Sequence, residues 1–257
     1  APAEEVATLL MDFPLPRWFG HRGGGALAPE NTLAGIRLAG RLGFAAVEFD
    51  VMLSGDGTPV LIHDETLERT TNGHGAVCET PDSQLFALDA GNGERMPRYS
   101  EAVDACSQYG LLANVEIKPA TGFERATAET VARLSAVLWQ GSTVQPLISS
   151  FSLAALEIAR DLAPQIPRGV LFERVPADWL AVVRRLQAVS LHCDVTQLSD
   201  DVWTEARANG IPVLCYTVNS EKAAKSLFER GVSAIFTDHL DLFVAETSAY
   251  KGLHLRG

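Results

Sequence analysis

The sequence predicts an α/β barrel of the TIM, or (β/α)8, type, and three observations lead there. The chain has 257 residues, 47% of them hydrophobic, a length at which such barrels run as one domain. Short apolar runs alternate with helical patterns, and strands begin near residues 17, 45, 111, 147, 168, 189, 212 and 234, eight in all. Ionisable clusters close several of these runs, and the carboxyl ends of barrel strands are where this fold builds its sites.

Arg17 to Gly20 reads as the first strand, ending at His21-Arg22 and a loop Gly23-Gly24-Gly25. Pro29-Glu30-Asn31-Thr32 opens a helix, with Asn31 or Thr32 as its cap and Leu33, Ile36, Ala39 and Leu42 as its apolar stripe. Strand two, Ala45 to Leu53, carries Glu48 and Asp50. The two-residue period of a strand places both acids on one face and Phe49 on the other. Ser54-Gly55-Asp56-Gly57 is a tight turn by composition, and Pro59 to Ile62 returns as a strand ending at His63-Asp64.

Between Asp64 and Pro97 the periodicity disappears, a long irregular stretch of the kind that forms a lid or a binding wall. Residues 1–257 are therefore expected to form a single barrel domain with an insertion after strand two, residues 64–97, covering the substrate. Order resumes with a helix from Tyr99 to Tyr109 and a strand from Leu111 to Ile117, which closes on Glu116-Ile117-Lys118. Helices at 126–138, 152–162, 178–186, 199–209 and 220–230 then alternate with strands at 147–150, 168–172, 189–193, 212–218 and 234–237, and a final helix starts at Leu240.

The formal net charge of -11 argues against nucleic acid or an anionic membrane as partner, because both bind through an excess of Lys and Arg. No window approaches the ~18 apolar residues of a membrane span. Residues 1–16 carry Glu4, Glu5 and Asp12 and lack a basic start followed by a long apolar stretch, so they do not read as a signal peptide. The four cysteines show no C-x-x-C spacing, and free thiols in a reducing, cytoplasmic setting are expected.

Glu48, Asp50 and Glu116 offer only carboxylate oxygens, which suit a hard cation such as Mg²⁺ or Ca²⁺ better than Zn²⁺. The competing account pairs them with Arg22 and Lys118 in a structural ion network. Burying three acids without a cation is costly, which favours the metal. Arg22 and Lys118 then line an anion site, and with a divalent ion they describe a phosphoryl centre. His21 and His63 are the natural acid and base. Phe151, Phe172 and Tyr216 follow or end strands four, five and seven and either wall the pocket or cap the core. The triple glycine lacks the spacing of a phosphate loop and reads as a strand-to-helix connection.

In order along the chain, His21-Arg22-Gly23, Ala28-Pro29-Glu30-Asn31-Thr32, Glu48-Phe49-Asp50-Val51, Leu61-Ile62-His63-Asp64, Leu67-Glu68-Arg69-Thr70-Thr71 and Asn114-Val115-Glu116-Ile117-Lys118 resemble the glycerophosphodiester phosphodiesterase family. Ser150-Phe151, Tyr216-Thr217-Val218-Asn219 and Phe236-Thr237-Asp238 extend the likeness over nearly the whole chain. The resemblance implies a TIM barrel and metal-dependent hydrolysis of glycerophosphocholine, glycerophosphoethanolamine and similar diesters to sn-glycerol 3-phosphate and an alcohol. It further implies one divalent cation on Glu48, Asp50 and Glu116, acid-base roles for His21 and His63, and phosphate contacts from Arg22 and Lys118. Tyr216 stands where many members carry Trp, which bears on the headgroup. Two competing functions are a lysophospholipase D acting on lipids that keep an acyl chain, and a phosphate-ligand binding barrel without catalysis. The first needs a membrane-docking surface, and the second predicts loss of a histidine or an acid, all five of which are retained.

Overall fold

The computed structural model describes residues 15–244; the leader before them and most of the helix expected after Leu240 lie outside the described residues. Within this span the expected barrel is present. Eight parallel strands close on themselves: β1 (Trp18–Gly20), β2 (Ala46–Leu53), β4 (Leu112–Ile117), β5 (Leu147–Ser150), β6 (Arg168–Phe172), β7 (Ser190–Asp194), β8 (Val213–Tyr216) and β9 (Ala234–Thr237). Closure is made by β1, which pairs with β2 on one side and β9 on the other. The strand expected at Pro59 to Ile62 is β3 (Pro59–Leu61); it runs antiparallel to β2, with Val51 opposite Leu61, and stands outside the ring of eight.

The helices α1 (Leu33–Arg41), α3 (Tyr99–Tyr109), α4 (Glu124–Leu138), α5 (Leu153–Leu162), α6 (Trp179–Arg185), α7 (Asp200–Ala208) and α8 (Glu221–Arg230) connect the barrel strands, and a one-turn helix α2 (Asp82–Leu85) lies in the insertion. Several start where a hydroxyl caps them: Thr32, Ser152, Ser199 and Ser220 accept from the N–H groups of Gly35, Ala155, Val202 and Ala223. Of the two caps expected for α1, Thr32 fills the role and leaves the Asn31 side chain for another use. Leu240–Phe243 is a single 3-10 turn.

The pleat of the strands sorts the core into two shells. Val47, Phe49 and Val51 of β2 and Ala113, Val115 and Ile117 of β4 face the helices and join the large core between barrel and helix ring. The alternate residues face inward, where Ala46 and Leu112 pack with Phe19, Leu147, Leu214, Ala234 and Phe236 at one level of the barrel. Glu48, Asp50, Asn114 and Glu116 follow on the same faces, nearer the carboxyl ends. A third cluster, Met52, Val60, Ile62, Leu67, Val77, Leu85, Met96 and Ala120, lies under the insertion and packs it onto the β2–β3 hairpin. That anchorage gives residues 64–97 a buried face although they carry little regular structure.

Candidate active site

The strand register assembles the acidic centre. Asp50 of β2 is paired with Glu116 of β4, and Glu48 with Asn114, so three carboxylates meet at the top of one inward face. One oxygen from each lies within 4.8 Å of the others. They are 5%, 1% and 8% exposed for Glu48, Asp50 and Glu116. Burial, and after it the Asp50 charge, pushes the carboxyls of Glu48 and Glu116 above their ordinary values. Burial pushes Asp50 the same way, but hydrogen bonds from Glu116 and Asn31 and the nearby cations outweigh it and hold Asp50 low. Three such groups cannot all ionise unaided, and without a cation the trio retains protons as a unit.

The donors suit a metal on their own evidence. Glu48 Oε1 is buried with no hydrogen-bond partner, an acceptor with unused capacity on a residue that lines the cavity. An all-oxygen set of this kind fits a hard divalent ion. Asn31, seen in the sequence only as a possible cap, supports the set: its Nδ2 donates to Asp50 Oδ2 at 3.0 Å and its Oδ1 accepts from the Asp50 backbone N–H at 3.1 Å.

His21 sits between two carboxylates, with Nδ1 2.7 Å from Asp238 Oδ1 and Nε2 3.4 Å from Glu48 Oε2. Burial opposes the charged imidazole, but Glu48 and Asp238 outweigh it and raise the His21 pKa. Asp238 is itself held by Asn219, whose Oδ1 accepts from its backbone N–H at 2.9 Å. The loop that follows His21 is tied by its backbone: Gly23 N donates to Glu48 O, Gly25 N to His21 O and Ala26 N to Asp238 O. Gly25 has φ 59°, and a Cβ there would lie 2.4 Å from the Asp238 carbonyl oxygen. These glycines serve close backbone packing, and the amides of Gly23 and Gly25 are already used.

Arg22, at φ 52°, donates from Nη1 to Glu30 Oε2 at 3.0 Å. Its Nε is buried without a hydrogen bond and lies 3.9 Å from Asp50 Oδ2, an ion-pair distance that is too long for a hydrogen bond. His63 Nδ1 is 2.8 Å from Asp64 Oδ1; a carboxylate only accepts, so Nδ1 carries the proton and Nε2 the lone pair. Lys118 Nζ lies 2.9 Å from that Nε2 and donates to the His63 carbonyl at 2.9 Å. The lysine is thus brought to His63 rather than held free above the acids.

His21, Arg22, Glu48, Asp50, His63 and Glu116 all line one cavity of about 170 Å³, together with Asn114, Phe151, Leu171, Tyr216, Thr217 and Phe236. Of the three expected wall aromatics, Phe151 and Tyr216 are there, 6.3 Å apart and edge to face. Phe172 is placed in the helix-facing core instead, because the β6 pleat turns Leu171 inward and Phe172 outward. The Tyr216 hydroxyl donates to the Phe172 carbonyl at 3.1 Å, so its ring rather than its O–H borders the cavity. Phe151 and Tyr216 also border an adjoining open shelf of about 350 Å³. Asp238, Asn31, Glu30 and Arg69 carry the support of the site without having been assigned roles from sequence; their signal was present only in the ordered motifs.

The family model for the glycerophosphoryl diester phosphodiesterase family matches residues 21–242. A glycerophosphodiester phosphodiesterase of Caldanaerobacter subterraneus subsp. tengcongensis is 31% identical over 225 residues, covering 85% of this chain and 92% of the relative. Among solved structures, a phosphodiesterase of Oleispira antarctica in complex with the product sn-glycerol-3-phosphate is 37% identical with a TM-score of 0.87, covering 91% of this chain and 97% of that one. A glycerophosphodiester phosphodiesterase of Agrobacterium tumefaciens is 28% identical with a TM-score of 0.76, covering 90% of this chain and 100% of that one.

Proposed function

The chain belongs to the glycerophosphoryl diester phosphodiesterase family, and from that membership we propose that it hydrolyses glycerophosphodiesters to sn-glycerol 3-phosphate and an alcohol. Glycerophosphocholine and glycerophosphoethanolamine are the substrates in view. The observation that carries the proposal is the convergence, in one cavity, of three buried carboxylates, two histidines and Arg22. The product-bound Oleispira antarctica relative supports it.

Glu48, Asp50 and Glu116 would hold one divalent ion, Mg²⁺ or Ca²⁺, and when bound it would supply Lewis-acid stabilisation of phosphate charge. Arg22 turns its unpartnered Nε toward a second phosphate oxygen. Lys118 adds positive charge beside His63 and reaches the phosphate when it leaves the imidazole. The two histidines share the proton transfers: one, unprotonated at the ring nitrogen facing the diester, takes a proton from the attacking hydroxyl, and the other, entering as the imidazolium, gives one to the departing oxygen. Asp238 poises His21 and Asp64 poises His63 for either task. Phe151 and Tyr216 contact the organic part of the diester, and the insertion 64–97 covers the substrate from beyond the cavity lining as part of a single catalytic domain. The net charge of -11 remains a poor match for nucleic acid. Among the described residues no helix is long and apolar enough to cross a membrane. All four cysteines are unpaired, which supports a reducing, cytoplasmic setting.

The test is release of glycerol 3-phosphate from glycerophosphocholine by purified protein with Mg²⁺, with Ca²⁺ and with EDTA, beside His63→Ala. Release that depends on metal and is lost in EDTA and in the variant is expected. Folded protein that releases nothing from any glycerophosphodiester with either ion would overturn the proposal.

A further inference from the structure

On the rim of the cavity, Arg69 of the insertion grips two carboxylates at once. Its Nε and Nη2 donate to Asp64 at 2.8 and 3.0 Å. Its Nη1 and Nη2 donate to Glu30 at 3.1 and 2.7 Å. Glu30 Oε2 accepts in turn from Arg22, and Asp64 from His63. The result is one chain of alternating charge, Arg22, Glu30, Arg69, Asp64 and His63, whose two ends are both cavity-lining groups. The members come from two places in the fold: Arg22 and Glu30 from the connection between β1 and α1, and His63, Asp64 and Arg69 from the chain that leaves β3 and enters the insertion.

We propose that Arg69 is a positioning residue for the diesterase reaction, a guanidinium clamp that sets the geometry of Arg22 and His63 together; this rests on the function proposed above. An isolated surface ion pair would contribute little, and Arg69 is 48% exposed. Two shared forks in a network are the exception to that rule, because the planar guanidinium presents its N–H groups in a geometry that matches carboxylates. The charge distribution agrees: Arg69 holds the Asp64 carboxyl far below its ordinary value, and the Glu30 carboxyl is held down by Arg69 and Arg22 against the effect of burial. An ionised Asp64 can only accept, and so keeps the His63 proton on Nδ1 and leaves the Nε2 lone pair to the Lys118 ammonium, 2.9 Å away. An ionised Glu30 draws the Arg22 Nη1 aside and leaves Nε toward the acids. Packing seats the clamp, since Leu67 lies in the cluster under the insertion and Ala34 N donates to Glu94 across the same seam at 2.9 Å. Lysine cannot replace it, having one nitrogen for four acceptor contacts.

The experiment compares wild type, R69M, R69K, the D64N/E30Q pair and the D64N/E30Q/R69M triple, with kcat and KM for glycerophosphocholine at saturating metal and with Tm for each. R69M is expected to lower kcat/KM by about 100-fold, the cost of misplacing reacting groups by about 1 Å, with little change in Tm and little recovery in R69K. When both carboxylates are already neutral, R69M is expected to add less than about threefold, since the partners through which it acts are gone. A purely structural arginine would cost the same factor in both backgrounds. NMR of the His63 ring nitrogens provides a readout independent of turnover: the wild type holds the Nδ1–H tautomer, and R69M mixes the two. Wild-type turnover with R69M within twofold of it, or an unchanged His63 tautomer in R69M, would overturn the clamp. A wild-type protein inactive on all glycerophosphodiesters would overturn the function instead.

Discussion

Replacing Glu48 by Gln removes one charge from the acidic trio while keeping its shape, and the metal-free protein is expected to gain stability as it loses its ion site. Two ionised carboxylates with oxygens within 4.8 Å repel by at least about 3 kcal/mol at an effective dielectric constant of 20. Proton uptake relieves part of this, so the expected gain at pH 8 is about 1–3 kcal/mol, or roughly 2–10 °C in Tm for a chain of this size. The sign follows from the folded-state shifts. Glu48, pushed up to about 8 by burial and then by Asp50, and Glu116, shifted the same way, bind protons that the unfolded chain has released. In the metal-free wild type the contribution of these two groups is therefore fully present below the ordinary carboxylate range and is lost as pH rises from there through about 8, while E48Q shows a shallower decline. Mg²⁺ or Ca²⁺ reverses the trend, because the ion takes the deprotonated trio. At 100 times Kd it adds about 2.7 kcal/mol to wild type and much less to E48Q. Thermal unfolding from pH 5 to 9, in EDTA and in each ion, measures all of this. E48Q less stable than wild type in EDTA at pH 8, or a wild type that neither ion stabilises, would refute the reasoning.

Asn31→Ala removes both bonds that orient Asp50, and titration calorimetry should show metal affinity weaker by about 10- to 100-fold with the fold retained. Tyr99→Phe strips a buried network in which the Tyr99 hydroxyl accepts from Trp139 Nε1 at 2.9 Å and pairs with Ser135 Oγ at 2.7 Å. Denaturant unfolding should register a loss of about 1–3 kcal/mol, the cost of buried polar groups left unpaired. Gly169→Ala would place a Cβ 2.4 Å from His192 Nε2 and 2.8 Å from Ser190 Oγ inside the barrel; overpacking of about 1–3 kcal/mol should appear in the same assay, with no change in metal affinity.

The sequence by itself determined the features that depend on neighbours along the chain. Eight alternations of apolar run and amphipathic stripe specify the barrel, and the two-residue strand period specifies that Glu48 and Asp50 share a face while Phe49 turns to the helices. The ordered motifs pointed to the acids, both histidines and Arg22, and the structure brings these into one cavity. Where local signals were degenerate, only the fold decided. Asn31 and Thr32 are both good caps, and the choice went to Thr32 because Asn31, at φ 55°, is drawn onto Asp50. Phe172 and Leu171 are both apolar at a strand end, and the β6 pleat alone assigns the inward position to Leu171. Pro59 to Ile62 has the composition of any buried strand, and antiparallel pairing to β2 sets it outside the ring. The support of the site depended on the fold most of all. His21 meets Asp238 across 217 residues and Arg69 meets Glu30 across 39, distances over which no periodicity carries information. Strand register and loop docking bring those charges together, and both are properties of the closed barrel rather than of any one segment.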